Sequence, residues 1–120
     1  MIRVLVVDDS MPFLGAATDV VLASEGFELE GVASTGEEGV ELARLRRPDL
    51  ALVDLNMPGI DGRETAVRMA EASPETAVVL MTAELDLLTP PNGLLDKRRL
   101  SPATLAEMWD RAQAASALGA

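Results

Sequence analysis

Five side chains able to do chemistry stand directly after short, mostly apolar segments: Asp8 and Asp9 after residues 4–7, Asp54 after 50–53, Thr82 after 77–81 and Lys97 after 94–96. In an open parallel sheet, ligands bind beyond the carboxyl ends of the strands, near the switch in strand order. If the first, third and fourth of these segments are neighbouring strands, three carboxylates, a hydroxyl and the chain's single lysine meet in one place. Carboxylates crowded together raise one another's pKa unless a cation intervenes. A hard divalent ion such as Mg²⁺ suits that need, because it takes oxygen ligands and is commonly held by one or two carboxylates together with phosphate oxygens. With the ion and Lys97 neutralising a transferring phosphoryl group and Thr82 donating to one of its oxygens, Asp54 is placed to act as the nucleophile. Each residue also has a plainer reading. Asp9 or Ser10 could simply cap a helix, Asp54 could end a strand before the turn at Met57-Pro58-Gly59, and Lys97-Arg98-Arg99 could be a solvated basic cluster. The joint occurrence, each residue at a strand end and in order, favours the chemical reading.

The elements that must position these groups follow from periodicity. Segments suited to strands cover residues 3–7, 28–33, 50–53, 77–81 and 94–96, and the first, third and fourth are almost uniformly apolar, as expected of central strands covered on both faces. The second alternates, Phe27, Leu29, Gly31 and Ala33 against Glu28, Glu30 and Val32, and reads as an edge strand. Between them lie stripes of helical spacing: Leu14, Ala17 and Val21; Gly36, Val40 and Ala43; Ala66, Met69 and Ala70; and Leu105, Trp109, Ala112 and Ala115. Ser34 or Thr35 can cap the second helix, and Ser101 with Pro102 at the first helical position can open the last. Alternation of strand and helix predicts an α/β fold with a parallel sheet. The connection after Thr82 is abnormal: residues 83–93 include Pro90-Pro91 and Asn92-Gly93 and are short for a crossover with its helix. The fourth helix is therefore expected to be very short or absent.

Composition narrows the function classes. A chain of 120 residues, 48% hydrophobic, suits a single domain spanning 1–120, its alanine-rich end at 112–120 finishing the last helix and then fraying. The formal charge of −10 repels nucleic acid and anionic membrane. The absence of histidine excludes histidine acid-base and phosphohistidine chemistry in this chain, and the absence of cysteine excludes disulfides and thiolate metal sites. No run approaches membrane-spanning length, and the first residues do not read as a signal peptide. A cytoplasmic location is the expectation.

These residues resemble the response-regulator receiver family over nearly the whole chain. Asp8-Asp9 resembles its acidic pair, Asp54-Leu55-Asn56-Met57-Pro58-Gly59-Ile60-Asp61-Gly62 its phosphoacceptor strand end and loop, Thr82-Ala83 its switch hydroxyl, and Gly93-Leu94-Leu95-Asp96-Lys97 its last strand and lysine. The resemblance implies a doubly wound, flavodoxin-like sheet of five parallel strands in the order 2-1-3-4-5. It implies that Asp54 takes a phosphoryl group from the phosphohistidine of a histidine kinase or phosphotransfer protein. Asp9, Asp54 and the backbone carbonyl of Asn56 would bind Mg²⁺ directly, Asp8 largely through water, while Thr82 and Lys97 would contact the phosphoryl group and an output protein or domain would read it.

Three departures bear on that readout. The family's aromatic switch position, three before the lysine, is Leu94. The lysine is usually followed by proline through a cis peptide, whereas Lys97 precedes Arg98, so a trans bond and some displacement of Lys97 are expected. The shortened fourth-helix region is the middle of a surface many receivers use to dimerise or bind outputs. An alternative is an atypical receiver acting through protein contacts without phosphorylation. A third reading, a phosphohydrolase of the haloacid dehalogenase type, is disfavoured because its nucleophile lies on the first strand and its acidic pair late in the chain. No turnover of an external substrate is expected.

Overall fold

The structure is a computed structural model describing residues 1–83 and 94–119, the side chains of 116–119 excepted. Its elements run β1 (Ile2–Val7), α1 (Met11–Ala23), β2 (Phe27–Ala33), α2 (Gly36–Arg46), β3 (Leu50–Asp54), α3 (Gly62–Ala72), β4 (Ala77–Thr82), β5 (Leu94–Asp96), a 3₁₀ turn (Lys97–Arg99) and α4 (Pro102–Gly119). The five strands form one parallel sheet in the order β2-β1-β3-β4-β5, with β2 at an edge as its alternation predicted. The expected short or missing helix between β4 and β5 falls on residues 84–93, outside the described residues.

Each helix start is explained by its cap. The side chains of Ser10, Thr35, Asp61 and Ser101 accept from the main-chain N–H of Phe13, Glu38, Glu64 and Thr104, which satisfies donors that a helix leaves open. Of the alternatives left by the sequence, Ser10 rather than Asp9 and Thr35 rather than Ser34 serve. Asp9 is thereby free of a capping duty.

Two apolar layers sandwich the sheet. Val4, Val6, Leu50, Leu52, Val79, Met81 and Leu95 pack under α1 and α4, against Leu14, Ala17, Val21, Leu105 and Met108. Leu5, Val7, Ala33, Ala51 and Val53 pack under α2 and α3, against Ala43 and Met69. Strands β1 and β3 thus bury both faces, which accounts for their apolar runs at residues 4–7 and 50–53.

Three helix faces differ from their predicted stripes. In α2 the inward residue is Gly39 rather than Val40, because the helix lies so close to β1 that a Cβ on Gly39 would sit 2.7 Å from Val7 Cγ2. In α3 Thr65 is buried while Ala70 is exposed. The Thr65 hydroxyl donates to the Asp61 carbonyl at 2.7 Å, so burying it leaves no polar group unpaired. In α4 Met108 is buried while Ala115 is exposed, Trp109 and Ala112 being half-buried. The alanine-rich end continues the helix to Gly119.

The loop carrying Asp54 into α3 depends on two glycines. Gly59 has φ +78°, a left-handed conformation natural to glycine. A Cβ on Gly62 would lie 2.3 Å from the Asp54 carbonyl oxygen and 2.6 Å from Leu55 Cα, main-chain atoms that cannot rotate aside. Gly62→Ala is expected to destabilise the fold by about 2–4 kcal/mol. Gly15, inside α1 with nothing within 4 Å of its built Cβ, should gain ~0.5–1 kcal/mol on substitution by alanine. Urea unfolding of the two variants checks both signs.

Candidate functional site

All five chemistry-bearing residues lie at the carboxyl end of the sheet. Asp8 follows β1, Asp54 ends β3, Thr82 ends β4, and Lys97 begins the turn after β5. Asp8 is fully buried, Asp54 and Thr82 are 5% and 4% exposed, and Asp9 is exposed at the mouth. One carboxylate oxygen from each of Asp8, Asp9 and Asp54 lies within 4.8 Å of the others. Asn56, in the loop after β3, is exposed, and its main-chain N–H donates to Asp54 Oδ1 at 3.3 Å. Leu55 is tied back to β4 by its N–H to the Met81 carbonyl at 2.7 Å, which keeps the end of β3 aligned beside Thr82.

The lysine reaches the carboxylates. Lys97 Nζ stands 2.6 Å from Asp8 Oδ2 and 3.7 Å from Asp54 Oδ2. The Lys97–Asp8 contact lacks hydrogen-bond directionality, so it is an ion pair held by charge rather than by a directed hydrogen bond. Asp8 Oδ1 accepts from the Ser10 N–H at 2.8 Å. The Lys97–Arg98 peptide is trans, as predicted, since no cis peptide bond occurs among the described residues. The expected displacement does not take Lys97 out of reach of the acidic groups.

Two participants were not singled out in the sequence. The Phe13 ring, on α1, has Lys97 Nζ 4.3 Å from its centroid, so an aromatic face and two carboxylates surround one ammonium. A half-buried aromatic on an amphipathic helix reads as core, and nothing in its spacing announces a cation above it. Asp96 is the second. It is 7% exposed and accepts from the Arg98 main-chain N–H and guanidinium. Leu94, at the position where an aromatic was noted to be usual, opens β5 opposite Leu80 and is half-buried.

Electrostatics single out Asp54. Burial first, then the neighbouring Asp8 charge and to a lesser degree Asp9, push its carboxyl up to about 6, while Lys97 and the Asn56 N–H pull the other way. Lys97 therefore does not offset the burial and neighbouring charge that act on Asp54. A divalent cation beside Asp54 fits this donor set, which is all hard oxygen. The same cluster suits an incoming group that is anionic only if such a cation offsets the charge.

A carboxyl whose folded pKa lies above its unfolded value favours the fold while it holds its proton and opposes it once ionised. With divalent cations chelated, Asp54 should contribute its full stabilisation below pH ~4 and lose it as pH rises through about 6. Asp54→Asn should flatten this slope and be the more stable protein at pH 8, by about 1–2 kcal/mol. Thermal melts of both proteins in a chelator across about pH 3.5–8, which spans the shift, measure it; parallel profiles would show that Asp54 is not the strained carboxyl.

Comparison with known proteins points one way. Residues 4–92 match the family model described as response regulator receiver domain. The response regulator GacA of Pseudomonas aeruginosa is 39% identical over 82 residues, 68% of this chain and 38% of that protein. The signal receiver domain of a modulated diguanylate cyclase from Desulfovibrio desulfuricans G20 superimposes with a TM-score of 0.81 at 29% identity, covering 98% of each chain. The signal receiver domain of the response regulator NarL from Mycobacterium tuberculosis gives 0.79 at 28% identity, over 93% of this chain and 96% of that one. The chain spans about two fifths of the length of the curated relatives it matches, 40% and 38% for two of them.

Proposed function

The chain belongs to the response regulator receiver domain family, whose general role is to accept a phosphoryl group in two-component signalling, and from that premise we propose that Asp54 is the acceptor. The observation that carries this reading is the buried Asp54 carboxylate facing Asp8, Asp9 and the ammonium of Lys97 at one sheet end. In the reaction an Asp54 oxygen attacks phosphorus, and the bond from phosphorus to the donor breaks with its electron pair leaving on the donor. On the family's pattern the donor would be a phosphohistidine on a histidine kinase or phosphotransfer protein, this chain having no histidine of its own.

Asp9, Asp54 and the Asn56 carbonyl would hold Mg²⁺, and the ion would supply positive charge against the phosphoryl oxygens. Asp8, buried against Lys97 and the Ser10 N–H, would act on the ion largely through water. The Lys97 ammonium would pair with the phosphoryl group, and the Thr82 hydroxyl would donate to one of its oxygens. Neither residue transfers a proton to the carboxylate, which attacks in its ionised form. We read residues 1–120 as one such domain, with output exerted through a protein partner or a further domain, and with no turnover of an external substrate. Among the described residues no helix is long and apolar enough to cross a membrane.

A second reading, signalling through protein contacts without phosphorylation, is favoured by Leu94, which carries no ring to rotate toward Thr82. Phosphate uptake separates the two. Incubation with Mg²⁺ and a small phosphodonor should add one phosphoryl group, seen by intact mass, and Asp54→Asn should abolish it; no uptake from any donor tried would sink the first reading. Free Mg²⁺ at about ten times its dissociation constant should also raise stability by ~1.4 kcal/mol, and the gain should shrink in Asp9→Asn. A melting temperature indifferent to Mg²⁺ would contradict the metal assignment.

A further inference from the structure

Lys97 has a long way to reach. Strands lie about 4.8 Å apart, so β5 and β1, three spacings apart in this sheet, are separated at ~14 Å, well beyond a lysine side chain. Its Nζ nevertheless stands 2.6 Å from Asp8 Oδ2, so the reach depends on how the side chain is aimed where β5 ends. Lys97 is the first residue of the 3₁₀ turn Lys97–Arg99, which sets its backbone there. A turn so short is not self-supporting, and it needs something to hold it.

We infer that Asp96 is a positioning residue for Lys97: its carboxylate clamps Arg98 from both main chain and side chain, and so fixes the turn that aims the ammonium at Asp8 and Asp54. Asp96 Oδ1 accepts from the Arg98 N–H at 2.9 Å and from Arg98 Nε at 3.0 Å, while Oδ2 accepts from Arg98 Nη2 at 3.0 Å. Arg99 Nε lies 3.9 Å from the same Oδ2, and the Leu100 N–H closes the turn on the Lys97 carbonyl at 3.4 Å. Both residues flanking Lys97 are therefore locked to one another. Their side chains form a two-point fork, which fixes direction as well as distance.

The burial pattern agrees. Asp96 is 7% exposed although it has no role in the acidic cluster. A carboxylate is rarely so covered without a partner of opposite charge. The Arg98 side chain is 60% exposed, so the fork closes from the solvent side over the buried acid. Asp96 also faces Thr82 in the β4–β5 register, which places the clamp beside the hydroxyl as well as the lysine. Its effect on phosphoryl transfer rests on the reading of Asp54 given above; its effect on Lys97 does not.

Lys97 is the only lysine, so protein grown with lysine labelled with ¹⁵N at Nζ reports one side-chain ammonium. In the wild type that ammonium should be protected from exchange with water. Asp96→Ala should speed the exchange about tenfold or abolish the signal, and Asp96→Asn, which can still accept from the Arg98 N–H, should recover part of the protection. If Asp96→Ala does not fold, Arg98→Met removes the guanidinium but keeps the main-chain bond and should give an intermediate loss. A folded Asp96→Ala or Arg98→Met protein with wild-type exchange would overturn the clamp. In phosphorylation by a small donor, Asp96→Ala should slow the saturated rate about tenfold in the wild type and add nothing in a Lys97→Met background. Equal slowing in both backgrounds would mean that Asp96 does not act through Lys97, and would also overturn it. A protected ammonium that Asp96→Ala exposes, in a protein that takes up no phosphate, would support the clamp and refute the acceptor role of Asp54.

Discussion

Crowded negative charge at the carboxyl end of the sheet is the constraint around which the rest of the molecule is arranged. Asp8 is wholly out of solvent and Asp54 nearly so, and an ion removed from water must be repaid by a close opposite charge or it neutralises. Lys97 supplies that charge for Asp8 at 2.6 Å but stands at 3.7 Å from Asp54. The unequal distances show how the compensation is divided: Asp8 is the lysine's nearer partner, and at Asp54 burial and the neighbouring Asp8 charge outweigh Lys97 and the Asn56 N–H, raising its carboxyl to about 6. A nucleophile needs an exposed lone pair and a poised charge, and a carboxylate saturated by a lysine would have neither. The partial compensation is therefore compatible with reactivity as well as with folding.

The two cores and the glycines serve this arrangement. Because β1 and β3 are adjacent and covered on both faces, Asp8 and Asp54 are carried on strands with little freedom to splay apart under repulsion. Gly62 lets the first turn of α3 press directly on the Asp54 carbonyl, and Gly36 lets α2 press on Thr65 and Ile60, where a Cβ would come within 2.2 Å of Thr65 Oγ1. Such close approaches bring helix ends toward the acidic end without a side chain in between. The Asp61 cap and the Gly62 N–H bond to the Leu55 carbonyl at 3.0 Å then fix the loop that brings Asn56 to the mouth.

Much of this was legible in the residues. Uniform apolar segments identified the buried strands to within a residue at each end, and β5, although only three residues long, was placed at Leu94–Asp96. The acidic pair, Asp54, Thr82 and Lys97 were legible because strand ends are where polar residues after apolar runs must emerge. Where the reading missed, packing decided between residues of similar hydropathy. Gly39 displaced Val40 because helix-to-sheet distance rewards the smaller residue, and Thr65 could be buried only because its hydroxyl had the Asp61 carbonyl to bond. Asp96 read only as the end of the last strand, and Phe13 belonged to no predicted stripe. Their relation to Lys97 exists only after the chain has turned, and no spacing rule encodes a contact made by a bend.

The same geometry sets the route by which added charge at Asp54 would be felt. A phosphoryl group brings roughly two negative charges to a place where the ammonium is already divided between two carboxylates. On the proposed reading, Lys97 must loosen its pairing with Asp8 to meet the new charge, and any such movement pulls on the turn at Lys97–Arg99. That turn is gripped by Asp96, the register partner of Thr82, so the lysine and the hydroxyl are carried on adjacent strand ends. Leu94, two residues earlier on the same short strand, needs no ring rotation to sense that pull, because β5 itself links it to the clamp.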